Sequence, residues 1–135
     1  MNDQRQALLQ GALTGSILDS FRDVHRELGF GYQAYIYAFA LERDLVAKGH
    51  RVDREVAVMV YYRGEPLARQ TMDMMVDEKV VIENKASEHL HPMAQLQLFS
   101  YLCATDLEIG LLLHFGREAT FQRVLCEHRL KHRRT

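Results

Sequence analysis

Between Gln6 and Leu28 the apolar residues Leu9, Leu13, Ile17, Phe21, Val24 and Leu28 return every three or four positions. That is the stripe of an amphipathic helix, and Gly29 and Gly31 end it. A second helix is expected from about Tyr32 to Lys48, where Tyr37, Leu41 and Leu45 stand four apart and Gly49 takes the place of a C-terminal glycine cap. After His50 the period changes to two. Val56, Val58 and Val60 alternate with Ala57, Met59 and Tyr61, and Arg63–Pro66 supplies a turn. Leu67–Val76 reads as a second strand, Asp77–Lys79 as a polar turn, and Lys79–Ala86 as a third strand whose centre, Val80-Val81-Ile82, suits burial on both faces. These three strands form a meander. Pro92 fits the first turn of a helix from about Met93 to Ala104, Leu107–Phe115 is another apolar strand, and a last strand is expected near Phe121–Cys126. The order is α-α-β-β-β-α-β-β, an α/β chain.

Composition narrows this picture without changing it. With 135 residues, 47% hydrophobic and 26% charged, the chain suits one compact domain, 1–135, able to bury a core without cross-links. Its two cysteines, Cys103 and Cys126, read as reduced thiols rather than a disulfide framework. No apolar run spans a bilayer and the N-terminus lacks a signal-peptide layout, so a cytoplasmic protein with no membrane contact is expected. Seventeen basic residues against eighteen acidic give a formal charge of −1, so nucleic-acid binding has to rest on local patches. One such patch is the basic tail at about 128–135, HRLKHRRT, which reads as a solvated terminus before it reads as a phosphate-binding arm.

The chemistry concentrates in Asp73 to Lys85, where two acids and a lysine interrupt apolar strands. Charge there needs a partner or a metal. Glu83 and Lys85 are two apart on a strand and share a face, while Asn84 points the other way. With a three-residue loop Asp77–Lys79, Val76 faces Val80, and counting outward sets Asp73 opposite Glu83, their Cβ atoms about 5 Å apart. A two-residue loop would set Asp73 opposite Ile82 instead. A divalent cation, Mg²⁺ or Mn²⁺, would hold both carboxylates ionised and serve phosphodiester cleavage, with Lys85 orienting the nucleophile or stabilising the transition state. The competing reading is an ion pair of Glu83 with Lys85 at the strand edge beside a solvated Asp73. Gln97 and Tyr101, four apart on the next helix, either bind phosphate or cap the sheet.

Asp73, Glu83-Asn84-Lys85 and Gln97-x-x-x-Tyr101 together resemble the PD-(D/E)XK nuclease superfamily, in the RecB-like branch with a Q-x-x-x-Y motif. More narrowly, residues 24–45, 60–64 and 109–116 resemble small bacterial proteins of the GxxExxY family. The resemblance covers about residues 15–125. It implies a restriction-endonuclease-like core, α-β-β-β-α-β in a mixed central sheet, with an added N-terminal helix and a C-terminal strand. It implies a metal-dependent nuclease acting on DNA or RNA, with Asp73, Glu83 and the Asn84 carbonyl as Mg²⁺ or Mn²⁺ ligands, Lys85 as the catalytic cation, and Gln97 and Tyr101 meeting substrate.

Two positions depart from the pattern. Gly31, Ala34 and Tyr37 stand where the family carries Gly, Glu and Tyr, so the helix acid that helps complete the metal site is an alanine, and Ala94 takes the place of a frequent histidine. The alternative to a weakened nuclease is therefore an inactive nuclease-like module that binds nucleic acid or forms a homodimer through a spare apolar face on the long first helix. An enzyme acting on another phosphate ester would use the same residues. Cys126, His128 and His132 have a zinc-like spacing but no fourth ligand nearby. His89 and His91 lie in the loop after the third strand, within reach of the site in sequence. His25 and Glu27 on the first helix read as packing or helix-pairing residues, with Glu27 the nearest acid to stand in for the missing one, and the aromatic set Tyr35, Tyr37 and Phe39 reads as core and interface packing rather than base stacking.

Overall fold

The computed structural model describes residues 2–127, and side chains from residue 10 onward, so the basic tail, His128 and His132 lie outside the described residues. Its elements are α1 (Asn2–Leu28), α2 (Ala34–Ala47), β1 (Val52–Tyr62), β2 (Glu65–Val76), β3 (Val80–Lys85), α3 (Ala94–Cys103), β4 (Ile109–Phe115) and β5 (Ala119–Leu125), in the expected order. The strands form one sheet, β1-β2-β3-β4-β5, antiparallel throughout except for the parallel pair β3/β4. A parallel pair needs a crossover, and α3 supplies it. This is the mixed, restriction-endonuclease-like α/β architecture that the sequence leads one to expect.

Two apolar layers sandwich the sheet. Leu13, Ile17, Phe21 and Val24 of α1 and Tyr37, Leu41 and Leu45 of α2 pack on one face, against Met74, Ile82, Leu111 and Phe115. Leu98, Tyr101 and Leu102 of α3 pack on the other, against Met72, Val81 and Leu112. Tyr37 stacks on Phe115 at 4.4 Å between centroids, and its hydroxyl donates to the Gly29 carbonyl at 2.6 Å. The described part of the α1 stripe, Leu13 to Val24, is spent on this core. On α2, Tyr35, Phe39 and Val46 are exposed, and Tyr37 is the buried member of the aromatic set. Gly110 is the close-approach residue of β4: a Cβ there would meet Leu98 and Leu102 at 3.0 and 3.1 Å, so glycine lets α3 press onto the sheet.

The first strand starts at Val52, four residues before the alternation becomes apolar, because its leading charges are paired: Asp53 with Arg51 at 3.2 Å, and Arg54 with Asp73 at 3.3 Å. At the far end of α2, Ser16, His50 and Asp77 form a relay, with Ser16 Oγ 2.8 Å from His50 Nε2 and His50 Nδ1 2.7 Å from Asp77 Oδ2. Partial burial pushes the Asp77 carboxyl up, but the Arg51 amide and His50 outweigh it, and the carboxyl ends below its ordinary value. Ser16 sits mid-helix, where every N–H serves the helix ladder and none is left for an oxyanion. The relay therefore ties α1 to the β2–β3 turn rather than forming a hydrolytic triad.

Candidate functional site

The β2–β3 turn decides where the acids fall. The ladder pairs Val76 with Val80, Met75 with Val81 and Met74 with Ile82, the register of the three-residue loop. Beyond Met74 the strands part, and side chains take over the bonding. The Asp73 N–H donates to Glu83 Oε1 at 3.0 Å, while Asp73 Oδ2 accepts from the Asn84 N–H at 3.1 Å and from Asn84 Nδ2 at 2.6 Å. Asp73 and Glu83 thus lie across from one another, bridging a gap in the sheet. A strand residue turns its N–H and C=O toward the same neighbour, so the Asn84 carbonyl also opens into this gap.

A backbone irregularity accompanies the parting. Glu55, which stands across β1 from Asp73, has φ 52°, a left-handed value uncommon for a residue with a side chain. It reverses the alternation on both strands. Met72 falls in the α3-side layer and Met74 in the α1/α2-side layer, although a regular strand puts residues two apart on one face. The kink turns the Asp73 carboxylate in toward β3.

Glu83 is only 7% exposed. Burial pushes its carboxyl up to about 7, opposed by the Asp73 N–H, reinforced by the Asp73 charge and eased by Lys85. The same burial, together with the Glu83 charge, raises the Tyr101 hydroxyl. Tyr101 is thereby an electrostatic neighbour of Glu83, whereas Gln97, one turn earlier on α3, is exposed. The strand-edge ion pair between Glu83 and Lys85 does not form among the described residues, and Asp73 is not left to solvent. Its partner is Arg54, whose Nη2 lies 3.3 Å from Asp73 Oδ1 and whose Nη1 lies 3.6 Å from Glu42 on α2. Sequence reasoning missed Arg54.

A cleft of about 720 Å³ opens beside this gap, lined among others by Lys85, Gln97, His89, His91 and Ala34. The structure therefore brings Lys85 and Gln97 to one cavity with the two loop histidines. It also places Ala34, the first residue of α2, on the wall of that cavity, so an acid at 34 would project into it. His91 is committed locally, since its Nδ1 accepts from the Met93 N–H at 3.0 Å. A second residue missed by sequence reasoning is His114, 8% exposed on β4 next to Lys85. Its Nε2 donates to the Ser87 carbonyl at 2.9 Å and so fixes the loop that carries His89. A histidine inside an otherwise apolar strand was the available signal.

The donor set can be tested against a divalent cation. Among the described residues no group of three or more His, Cys, Asp or Glu side chains converges, so no ready-made protein cage exists. Two carboxylates and a strand carbonyl facing one gap do fit a single hard cation that keeps several waters. Asn84 Oδ1, buried and accepting no hydrogen bond among the described residues, marks the gap as under-satisfied. They do not fit a two-ion centre, since Ala34 brings no oxygen. Glu27 is exposed on α1 and does not line the cleft, and His25 is spent on the Gly116 carbonyl at 2.7 Å. Cys103 and Cys126 are buried thiols.

Comparison with curated proteins and with solved structures finds no match. The sequence profile of the PD-(D/E)XK nuclease superfamily does match, over residues 11–124, a span that takes in α2, the whole site and all but the end of β5. The chain belongs to the PD-(D/E)XK nuclease superfamily.

Proposed function

We propose that this protein is a cytoplasmic, metal-dependent phosphodiesterase that cleaves nucleic acid, DNA in preference to RNA. Its motif residues suit it to one Mg²⁺ or Mn²⁺ held by Asp73, Glu83 and the Asn84 carbonyl. The observation that carries this reading is the parted β2/β3 pair, with both carboxylates in the gap and Lys85 and Gln97 on the adjoining cleft. Such a cation supplies positive charge to a phosphoryl oxygen and acidifies water. The chain's own groups do the rest. The Lys85 ammonium stabilises charge developing on the phosphorus oxygens, Gln97 and Tyr101 position the phosphate, and His114 holds the loop that closes one wall. Buried thiols agree with a reducing compartment, and no helix among the described residues is long and apolar enough to cross a membrane.

Titration calorimetry with Mn²⁺, wild type beside Asp73→Ala, followed by incubation with labelled single- and double-stranded DNA, tests the reading. Binding and metal-dependent cleavage are expected in the wild type and neither in the variant. Binding that survives Asp73→Ala removes the site. Ala34→Glu is expected to tighten Mn²⁺ binding about ten-fold, because a third carboxylate on the cleft wall adds both charge and a ligand. Unchanged affinity would mean that the α2 terminus does not reach the cation.

A second reading has an observation of its own. Tyr35 and Phe39, 54% and 55% exposed on α2, give a homodimeric or nucleic-acid-binding module without catalysis a face to use. A dimer in light scattering that Phe39→Ser dissociates, in a chain inert toward DNA, would favour it.

A further inference from the structure

The Arg54 guanidinium is 18% exposed at the side chain and wedged between both acids of its neighbourhood. Its Nε reaches the Asp73 carbonyl at 3.3 Å and its Nη2 reaches Asp73 Oδ1 at 3.3 Å. On the other side Nη1 lies 3.6 Å from Glu42 Oε1, and the guanidinium sits 5.3 Å from the centre of the Phe39 ring. Every one of these contacts is long for a charge-assisted hydrogen bond, which closes to about 2.8 Å when well formed. Nη1 itself is buried with no hydrogen bond among the described residues. Arg54 therefore supplies charge to Asp73 without a tight geometry.

That placement matters because Asp73 faces a second acid. Two carboxylates across a narrow gap need a counter-charge whenever both are ionised. Among the described residues Arg54 is the cation that touches Asp73, and it does so through Oδ1, the oxygen that Asn84 leaves open. We propose that Arg54 is the resident counter-ion of this site: it neutralises Asp73 in the metal-free protein and gives up Oδ1 when a divalent cation binds, and so sets the affinity threshold for that cation. Arg54 is a positioning residue here, not a catalytic one. The inference rests on the proposed metal site at Asp73 and Glu83. Competition between two cations for one carboxylate is a negative coupling, and couplings of this kind are worth about 5- to 150-fold in affinity. The Glu42 carboxylate and the Phe39 face give the displaced guanidinium a place to stay.

The test is Mn²⁺ titration calorimetry on wild type, Arg54→Met and Asp73→Ala, with thermal melts of each in chelator and in Mn²⁺. Methionine keeps an apolar stem against Phe39 and removes the charge. Arg54→Met is expected to bind Mn²⁺ at least ten-fold more tightly than wild type, to melt lower in chelator, and to gain more in melting temperature from Mn²⁺. Equal or weaker binding in Arg54→Met, with binding still lost in Asp73→Ala, overturns the role of Arg54 and leaves the metal site standing. Absence of Mn²⁺ binding in all three overturns both. If Arg54→Met does not fold, Arg54→Gln, which keeps the polar reach without the charge, carries the same expectation.

Discussion

Lys85→Ala is expected to bind Mn²⁺ as the wild type does and to cleave DNA about 10³-fold more slowly. The split follows from where the ammonium lies. Lys85 shares a face of β3 with Glu83 and lines the cleft, yet it forms no ion pair among the described residues. Its long-range charge eases Glu83 without being held by it. A cation left uncommitted at the wall of a substrate cleft is available for charge that develops only in the transition state, and removing one such group costs about 10²–10³ in rate. Ground-state metal binding asks nothing of Lys85, which contacts neither carboxylate among the described residues. Single-turnover cleavage beside calorimetry reads the two quantities separately. A variant with full activity would take Lys85 out of the chemistry, whereas one that also lost the metal would make it a structural residue. Lys85→Arg is the sharper control. It keeps the charge but replaces a compact ammonium with a planar fork, so partial activity would show that charge, and not proton transfer, is the contribution.

The acids across the gap were legible in the sequence because register is a counting problem. Once Asp77-Glu78-Lys79 is taken as the loop, period two fixes the rest, and Val76 opposite Val80 carries Asp73 to Glu83. Asp77 and Glu78 both take left-handed φ, 52° and 56°, so the turn is tight and leaves little freedom in the register. The core was legible for a related reason: strands buried on both faces and a helix stripe every three to four residues are unambiguous patterns, and Val80–Ile82 are fully buried as expected.

Arg54 was legible in principle and was missed because its partner depends on a second hairpin. Arg63 and Gly64 form a two-residue turn with φ 52° and 78°. Counting back from it would set Arg54 opposite Asp73. The chain inserts one extra residue near Leu67, shifting the register between Val60 and Tyr61, so that Arg54 pairs with Met74 and meets Asp73 diagonally. Periodicity cannot foresee a bulge. Nor could it foresee the left-handed Glu55, since a glutamate carries no preference for that conformation. Both features act on the same carboxylate: the kink aims it and the guanidinium holds it. The aromatic set Tyr35, Tyr37 and Phe39 reads in the sequence as core and interface packing together, and α2 divides it: one stripe lies against the sheet, and Tyr37 with Leu41 and Leu45 fills it, leaving Tyr35 and Phe39 exposed.

The Glu83 carboxyl ties the stability of the fold to its chemistry, and Glu83→Gln is expected to melt above the wild type in chelator at pH 8. In the unfolded chain a glutamate titrates near ~4.3. In the folded protein burial holds Glu83 at about 7. Between those values the folded state keeps a proton that the unfolded state has lost, so wild-type stability falls as pH rises through this window, and the whole loss is present above pH ~7. At about 1.4 kcal/mol for each pH unit, the shift corresponds to ~4 kcal/mol. For a chain of this size that is a difference in melting temperature on the order of 10 °C. Glutamine keeps the oxygen that accepts the Asp73 N–H and stays neutral at every pH, so it escapes the loss. The advantage of Glu83→Gln should shrink to about a quarter as the pH is lowered to 5 and vanish only below ~4.3, where the carboxyl is neutral in the unfolded chain as well. Mn²⁺ should reverse the order at pH 8, stabilising the wild type and leaving the variant unmoved, because cation binding draws on the ionised carboxylate that burial disfavours. Melts from pH 5 to 8, with and without Mn²⁺, measure both effects. Superimposed wild-type and variant curves across that range would mean that Glu83 is ionised at no cost in the folded protein, and that the gap between β2 and β3 is wetter than its burial indicates.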